Sequence, residues 1–151
     1  MVQWIGAFAT LGLGSNAASC LTKNPYVLEM SLVTRFHHAS LIVSDLDAAR
    51  AFYEGILGLQ VSPLRPPMDF DGIWYEIGEQ QIHLLVQPNP DAGVQRPEHG
   101  GRDRHIALCV NDLDELAGRL ERAGITYTRS RSGRRALFCR DPEGNALELI
   151  G

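Results

Sequence analysis

The sequence predicts an α+β fold of two βαβββ modules whose sheets form a half-open, barrel-like trough. Three observations predict it. First, a ten-residue segment recurs. His38-Ala39-Ser40-Leu41-Ile42-Val43-Ser44-Asp45-Leu46-Asp47 aligns with His105-Ile106-Ala107-Leu108-Cys109-Val110-Asn111-Asp112-Leu113-Asp114, with six of ten positions identical. Second, each copy leads into an amphipathic stretch that stops at a glycine followed by an apolar residue, Gly58-Leu59 and Gly124-Ile125. Third, each half closes on a short apolar run at a similar distance. His38 to His83 spans 45 residues, and His105 to Glu148 spans 43.

The elements follow in order. Residues 38–43 alternate as a strand. Asp45 or Asp47 then offers an N-cap for a helix over roughly 47–57, which Gly58 can end. Strands are expected near 59–64, 72–77 and 81–86, with Pro63, Pro66 and Pro67 breaking the chain between the first two. The connection 87–103 holds three prolines and four glycine or asparagine residues, which marks it as the link between modules. The second copy repeats the plan: strand 105–110, a cap at Asp112 or Asp114, helix 114–123, and strands near 125–130, 135–140 and 146–150. Asp141-Pro142-Glu143-Gly144-Asn145 is a turn before the last strand. The domain is therefore expected over 33–151, with module one at 33–90 and module two at 101–151. Residues 1–32 carry no charge before Lys23 and lack the basic start of a signal peptide. They are expected to be a disordered leader or the product of an upstream start codon.

Composition narrows the function. Apolar residues make up 44% and charged residues 21% of 151 residues, enough for one globular domain and against disorder. A net charge of −4 gives no reason to expect nucleic acid, and no apolar run is long enough to span a membrane. One lysine stands against thirteen arginines, so lysine chemistry has little to work with, whereas arginine suits the grip of carboxylate or phosphate. Cys20, Cys109 and Cys139 form no CxxC pair and no even set, which argues against a disulfide framework and for a reducing, cytoplasmic setting.

Strand alternation then sorts the polar residues. Ala39, Leu41 and Val43 point to the helix side, and His38, Ser40 and Ile42 point away from it. Ile106, Leu108 and Val110 oppose His105, Ala107 and Cys109, and in the closing strands His83 and Glu148 lie on the faces away from the helices. If the modules pair, His38, His83, His105 and Glu148 converge in the trough. Three imidazoles and one carboxylate suit a first-row divalent ion, Zn, Ni, Co, Fe or Mn, more than Ca or Mg. Glu148, or His83 if it is not bound to the ion, is the candidate to move a proton. Arg104, Trp74 and Tyr75 are assigned to substrate binding, with core packing the competing reading of the aromatics.

At these residues the chain resembles the vicinal oxygen chelate superfamily, which holds glyoxalase I, extradiol dioxygenases, fosfomycin-resistance enzymes and bleomycin-binding proteins. The resemblance rests on His38-x-x-Leu41-x-Val43-x-Asp45-Leu46 followed by Ala51-Phe52-Tyr53 and Leu57-Gly58-Leu59, on 104–110, and on 141–149. It is similar to plant and cyanobacterial glyoxalase-I-like proteins through Pro88-Asn89-Pro90 and the run 96–105. The resemblance implies ligands on the first and last strands of each module, hence the same four residues. It implies a lyase or isomerase acting on a small substrate with two neighbouring oxygens, a glutathione adduct among the possibilities, through a metal-stabilised enediolate. His83 departs from the carboxylate usual there in glyoxalase I, whereas His38, His105 and Glu148 match the two-histidine, one-carboxylate set of the dioxygenase branch. A non-catalytic antibiotic-binding protein is the third reading, and thiol transfer to an epoxide lacks its lysine contact. The resemblance also implies a homodimer, and leaves open whether the four ligands meet within one chain or across two.

Overall fold

The computed structural model describes residues 32–151; the leader expected over 1–32 lies, apart from Leu32, outside the described residues. In module one, β1 (His38–Val43) is followed by a helix that Asp45 caps, accepting the Ala48 N–H at 2.9 Å. The helix is not one regular element. α1 (Leu46–Arg50) runs straight into a π-helical segment, Ala51–Ile56. The wider turn lets the adjacent Phe52 and Tyr53 both reach the core, with exposures of 1% and 0%. Gly58, at φ 73°, ends it, and the Leu59 N–H returns to the Tyr53 carbonyl at 2.9 Å.

Then come β2 (Gln60–Val61), β3 (Gly72–Ile77) and β4 (Gln80–Val86), giving the sheet order β1-β4-β3-β2. The strand expected over 59–64 shrinks to two residues, because Pro63 has no N–H for the ladder. Module two repeats the topology. β5 (His105–Cys109), α2 (Leu113–Arg122), β6 (Tyr127–Arg129), β7 (Ala136–Arg140) and β8 (Ala146–Ile150) form the order β5-β8-β7-β6. In both sheets the first strand pairs with the last in parallel and the other pairings are antiparallel. The α+β fold of two βαβββ modules is thus as the repeat predicts.

α2 explains itself from its sequence. Asp112 accepts the N–H groups of Asp114 and Glu115 at 3.1 and 3.0 Å. Leu113, Leu116, Ala117 and Leu120 form one buried face at i, i+3, i+4 and i+7. Gly124 closes it at φ 68°. One hydrophobic core draws on both modules, with Phe52, Tyr53, Tyr75 and Leu84 meeting Leu113, Leu116, Leu120, Leu147 and Leu149. Cys139 is buried and free.

Polar contacts tie the modules together. The Asp141 turn is organised from within, since Asp141 Oδ1 accepts the N–H groups of Glu143 and Asn145 at 3.0 and 2.8 Å. Its Oδ2 accepts the buried Tyr53 hydroxyl of module one at 2.9 Å. Glu143 accepts the Ser44 N–H at 2.7 Å, and Asn145 Nδ2 donates to the Ile42 carbonyl at 3.0 Å. The link 87–103 is fastened by arginines. Arg96 bridges Asp91 and Asp103 at 2.6 and 3.0 Å. Arg140 reaches Asp103, the Gly144 carbonyl and the Pro97 carbonyl at 2.9, 2.8 and 2.8 Å. Among the described residues no helix is long and apolar enough to cross a membrane.

Candidate functional site

The candidate ligands arrive as two pairs, one per sheet. In module one, the parallel register sets His38 opposite Gln81 and Ser40 opposite His83, on the face away from the helix. His38 and His83 stack with ring centres 4.2 Å apart. Trp74, directly opposite His83 on β3, stacks on its other side at 3.8 Å and 2°. His83 is 6% exposed. Its Nε2 lies 2.9 Å from Gln81 Oε1. The orientation of that amide is set by Glu76, whose carboxylate can only accept and takes the Gln81 Nε2–H at 3.1 Å. Gln81 Oε1 must therefore accept, so the His83 proton sits on Nε2 and its Nδ1 keeps a lone pair. Burial, then the neighbouring His38 and His37, push His83 down to about 4, so the ring is neutral at physiological pH.

Module two offers the clearer ligand geometry. His105 Nδ1 is 2.8 Å from the Asp103 carbonyl, which can only accept, so Nδ1 carries the proton. Its Nε2 faces Glu148 Oε2 at 3.2 Å. Glu148 is 4% exposed, and its other oxygen, Oε1, is buried with no hydrogen-bond partner. The nearest cation is Arg134 at 3.6 Å. A buried carboxylate oxygen without a hydrogen bond, beside an imidazole nitrogen, fits a divalent ion, and the nitrogen and oxygen donors suit the first-row metals. Phe138, opposite Glu148 on β7, closes the floor and meets His105 edge-on at 5.5 Å.

Within one chain the pairs stay apart. Among the described residues, no group of three or more His, Cys, Asp or Glu side chains is close enough to hold an ion. A cleft of about 900 Å³ runs between β1 and β5, lined by Ser40, Ile42, Arg104, His105, Ala107 and Asn145, with others. Of the residues assigned to substrate, Trp74 lies on the trough face beside His83. Tyr75 points the other way, 0% exposed in the core, its hydroxyl donating to Glu54 at 3.0 Å. The one-residue alternation along β3 decides between them. Arg104 lines the cleft but is ion-paired to Asp91. Gln81 and Phe138 were not singled out by sequence. Their signal was register: Gln81 sits two residues from His83, and Phe138 sits directly across from Glu148.

Two equal βαβββ modules, each presenting a pair of ligand-type side chains on its open face, define a class of small-molecule-site proteins. The family model described as the Glyoxalase/Bleomycin resistance protein/Dioxygenase superfamily matches residues 35–149, and the chain belongs to that superfamily. It is 29% identical over 124 residues to Glyoxylase I 4 of Arabidopsis thaliana, covering 78% of this chain and 70% of that one. It is 28% identical over 123 residues to lactoylglutathione lyase of Salmonella typhimurium, covering 77% and 91%. The crystal structure of lactoylglutathione lyase from Agrobacterium tumefaciens matches with a TM-score of 0.55 at 25% identity, covering 78% of this chain and 92% of that one.

Proposed function

We propose that the protein is a divalent-metal-dependent lyase or isomerase of the glyoxalase type, acting on a small substrate with two neighbouring oxygens. Its centre would be completed across a homodimer. The observation that carries this is the splitting of the donors: His38 with His83 on one sheet, His105 with Glu148 on the other, and no group of three or more placed to hold an ion among the described residues. A half-site with two donors holds a transition metal weakly. A second copy of the chain, offering its other half, supplies the missing two. The substrate class and the glutathione adduct are taken from the lactoylglutathione lyases among the relatives.

When bound, the metal would polarise the substrate oxygens and offset the negative charge formed when a carbon-bound proton leaves. The rest falls to the chain. Glu148 Oε1, buried and without a hydrogen-bond partner, is the base that takes the proton from one carbon and returns it to its neighbour. Asp103 holds the His105 ring through Nδ1 and keeps Nε2 directed at the centre. Gln81 does the same for His83 through the opposite nitrogen. Trp74 and Phe138 wall the two half-sites and exclude water from the reacting carbons.

Mixing two disabled variants tests this. His38→Ala/His83→Ala and His105→Ala/Glu148→Ala should each lose metal, measured by mass spectrometry after reloading, and lose turnover of the methylglyoxal–glutathione hemithioacetal. Unfolded together and refolded at equal amounts, half the dimers are mixed, and each mixed dimer regains one of its two centres. About a quarter of wild-type metal and activity should return. No recovery on mixing would overturn the shared centre. A metal-loaded wild type that leaves the hemithioacetal untouched would overturn the lyase reading.

A further inference from the structure

Thirteen arginines are present, and eleven have an ion-pair, hydrogen-bond or ring partner. Arg102 and Arg131 have none among the described residues, and both line the same cavity. It measures about 220 Å³, and its walls are Pro97, Glu98, His99, Arg102, Thr128 and Arg131. Thr128 Oγ1 is buried there without a hydrogen-bond partner. His99 Nδ1 accepts the Gly101 N–H at 3.0 Å, so the neutral ring carries its proton on Nε2 as a donor. The cavity therefore gathers two unpaired guanidiniums, an unpaired hydroxyl and an imidazole donor. Its one carboxylate belongs to Glu98, an exposed residue, so the wall is net positive. A cavity rich in donors, with positive charge no side chain answers, is built for an oxyanion.

Its place in the sheet gives it meaning. Thr128 pairs with Phe138, and Phe138 pairs with Glu148, so the three side chains share the open face of sheet two. Two strand spacings put Thr128 roughly 10 Å from Glu148.

We propose that this cavity is an oxyanion subsite that binds a carboxylate or phosphate group through Arg102, Arg131, His99 and Thr128. As a substrate subsite, it takes the far end of a molecule whose reacting oxygens lie at Glu148. In that role it rests on the metal-centre reading, while as an anion site it stands alone. Arg102 and Arg131, not Arg104, are then the arginines that select an anionic substrate.

Calorimetric titration of the metal-free protein with inorganic phosphate and, separately, with succinate tests it. One saturable site per chain is expected for at least one probe, and the tighter probe identifies the source of the oxyanion. Arg102→Gln, Arg131→Gln and Thr128→Val should each weaken it, the arginine variants roughly tenfold. Arg122→Gln, on the outer face of α2, should leave it unchanged. The proposal is overturned if neither probe saturates, if the three variants bind as the wild type does, or if Arg122→Gln weakens binding equally. His105→Ala/Glu148→Ala should keep phosphate or succinate binding while losing metal, so failure of the metal centre and failure of this subsite read differently.

Discussion

Tyr53→Phe is a one-atom test of how the modules are joined. Tyr53 is 0% exposed, and its hydroxyl donates to Asp141 Oδ2 at 2.9 Å. The substitution removes that donor and keeps the ring, including its contacts with Phe52 and Tyr75 at 5.1 and 5.7 Å. Asp141 is itself 5% exposed, and burial pushes its carboxyl up against the donors that hold it ionised. A hydrogen bond to a charged group contributes about 1.5–3 kcal/mol, and Oδ2 keeps the Asn145 amide, so the loss should be about 2 kcal/mol. Asp141→Ala goes further. It strands the buried Tyr53 hydroxyl and frees the turn N–H groups of Glu143 and Asn145, at a cost of about 4 kcal/mol or more. In that background Tyr53→Phe should cost almost nothing, because the hydroxyl has lost its acceptor. Urea unfolding followed by circular dichroism measures all four proteins, with a common m-value expected. The cycle should give a coupling of about 2 kcal/mol. A Tyr53→Phe loss below about 0.5 kcal/mol, or the same loss in both backgrounds, would refute the reasoning.

Two further outcomes concern charge. Burial opposes the Asp103 charge, but hydrogen bonds from Arg140 and Arg96 and the Arg104 N–H outweigh it and hold the carboxyl below its usual range. Its folded value lies under its unfolded one, so its contribution is full above about pH 4 and is lost as pH falls through the lowered folded value. Asp103→Asn should therefore unfold more easily at neutral pH and lose less on acidification than the wild type, in urea titrations across the acid range; parallel curves would contradict this. His83 should stay neutral with its proton on Nε2 down to about pH 5 in metal-free protein, read from its imidazole 15N shifts. A ring protonated on Nδ1 or charged near about pH 6 would show that Gln81 does not govern it.

The repeat made most of the fold legible. β1, β3 and β8 match their expected bounds, since apolar alternation between turn residues leaves no other pleated face. Asp45 and Asp112 cap as read, because a carboxylate just before an apolar face has two or three free N–H groups to meet. The π segment was not legible: it depends on two large rings both finding room in a core that two modules share. Half of the site was legible for the same reason as the strands. Period-two alternation places His38, His83, His105 and Glu148 on open faces, and separates Trp74 from Tyr75 once the register of β3 is known. What composition could not show is which arginines are already spoken for. Arg104 looked free in the sequence and is paired with Asp91, a residue thirteen positions away on the link.

The π-helical segment also bears on how this chain tolerates change in length. Along Ala51–Ile56 the backbone winds more loosely than the α1 turn before it. That slack amounts to about one extra residue wound into the helix. Removing one residue there would tighten the helix to ordinary pitch and rotate everything beyond the deletion by about 100°. A gap placed upstream of Tyr53 would carry its hydroxyl away from Asp141. One placed at Gly55 would instead shift the Gly58 stop and the start of β2. Alignments of homologous chains should therefore weigh a gap in 51–56 as a structural event, coupled to what stands at 141.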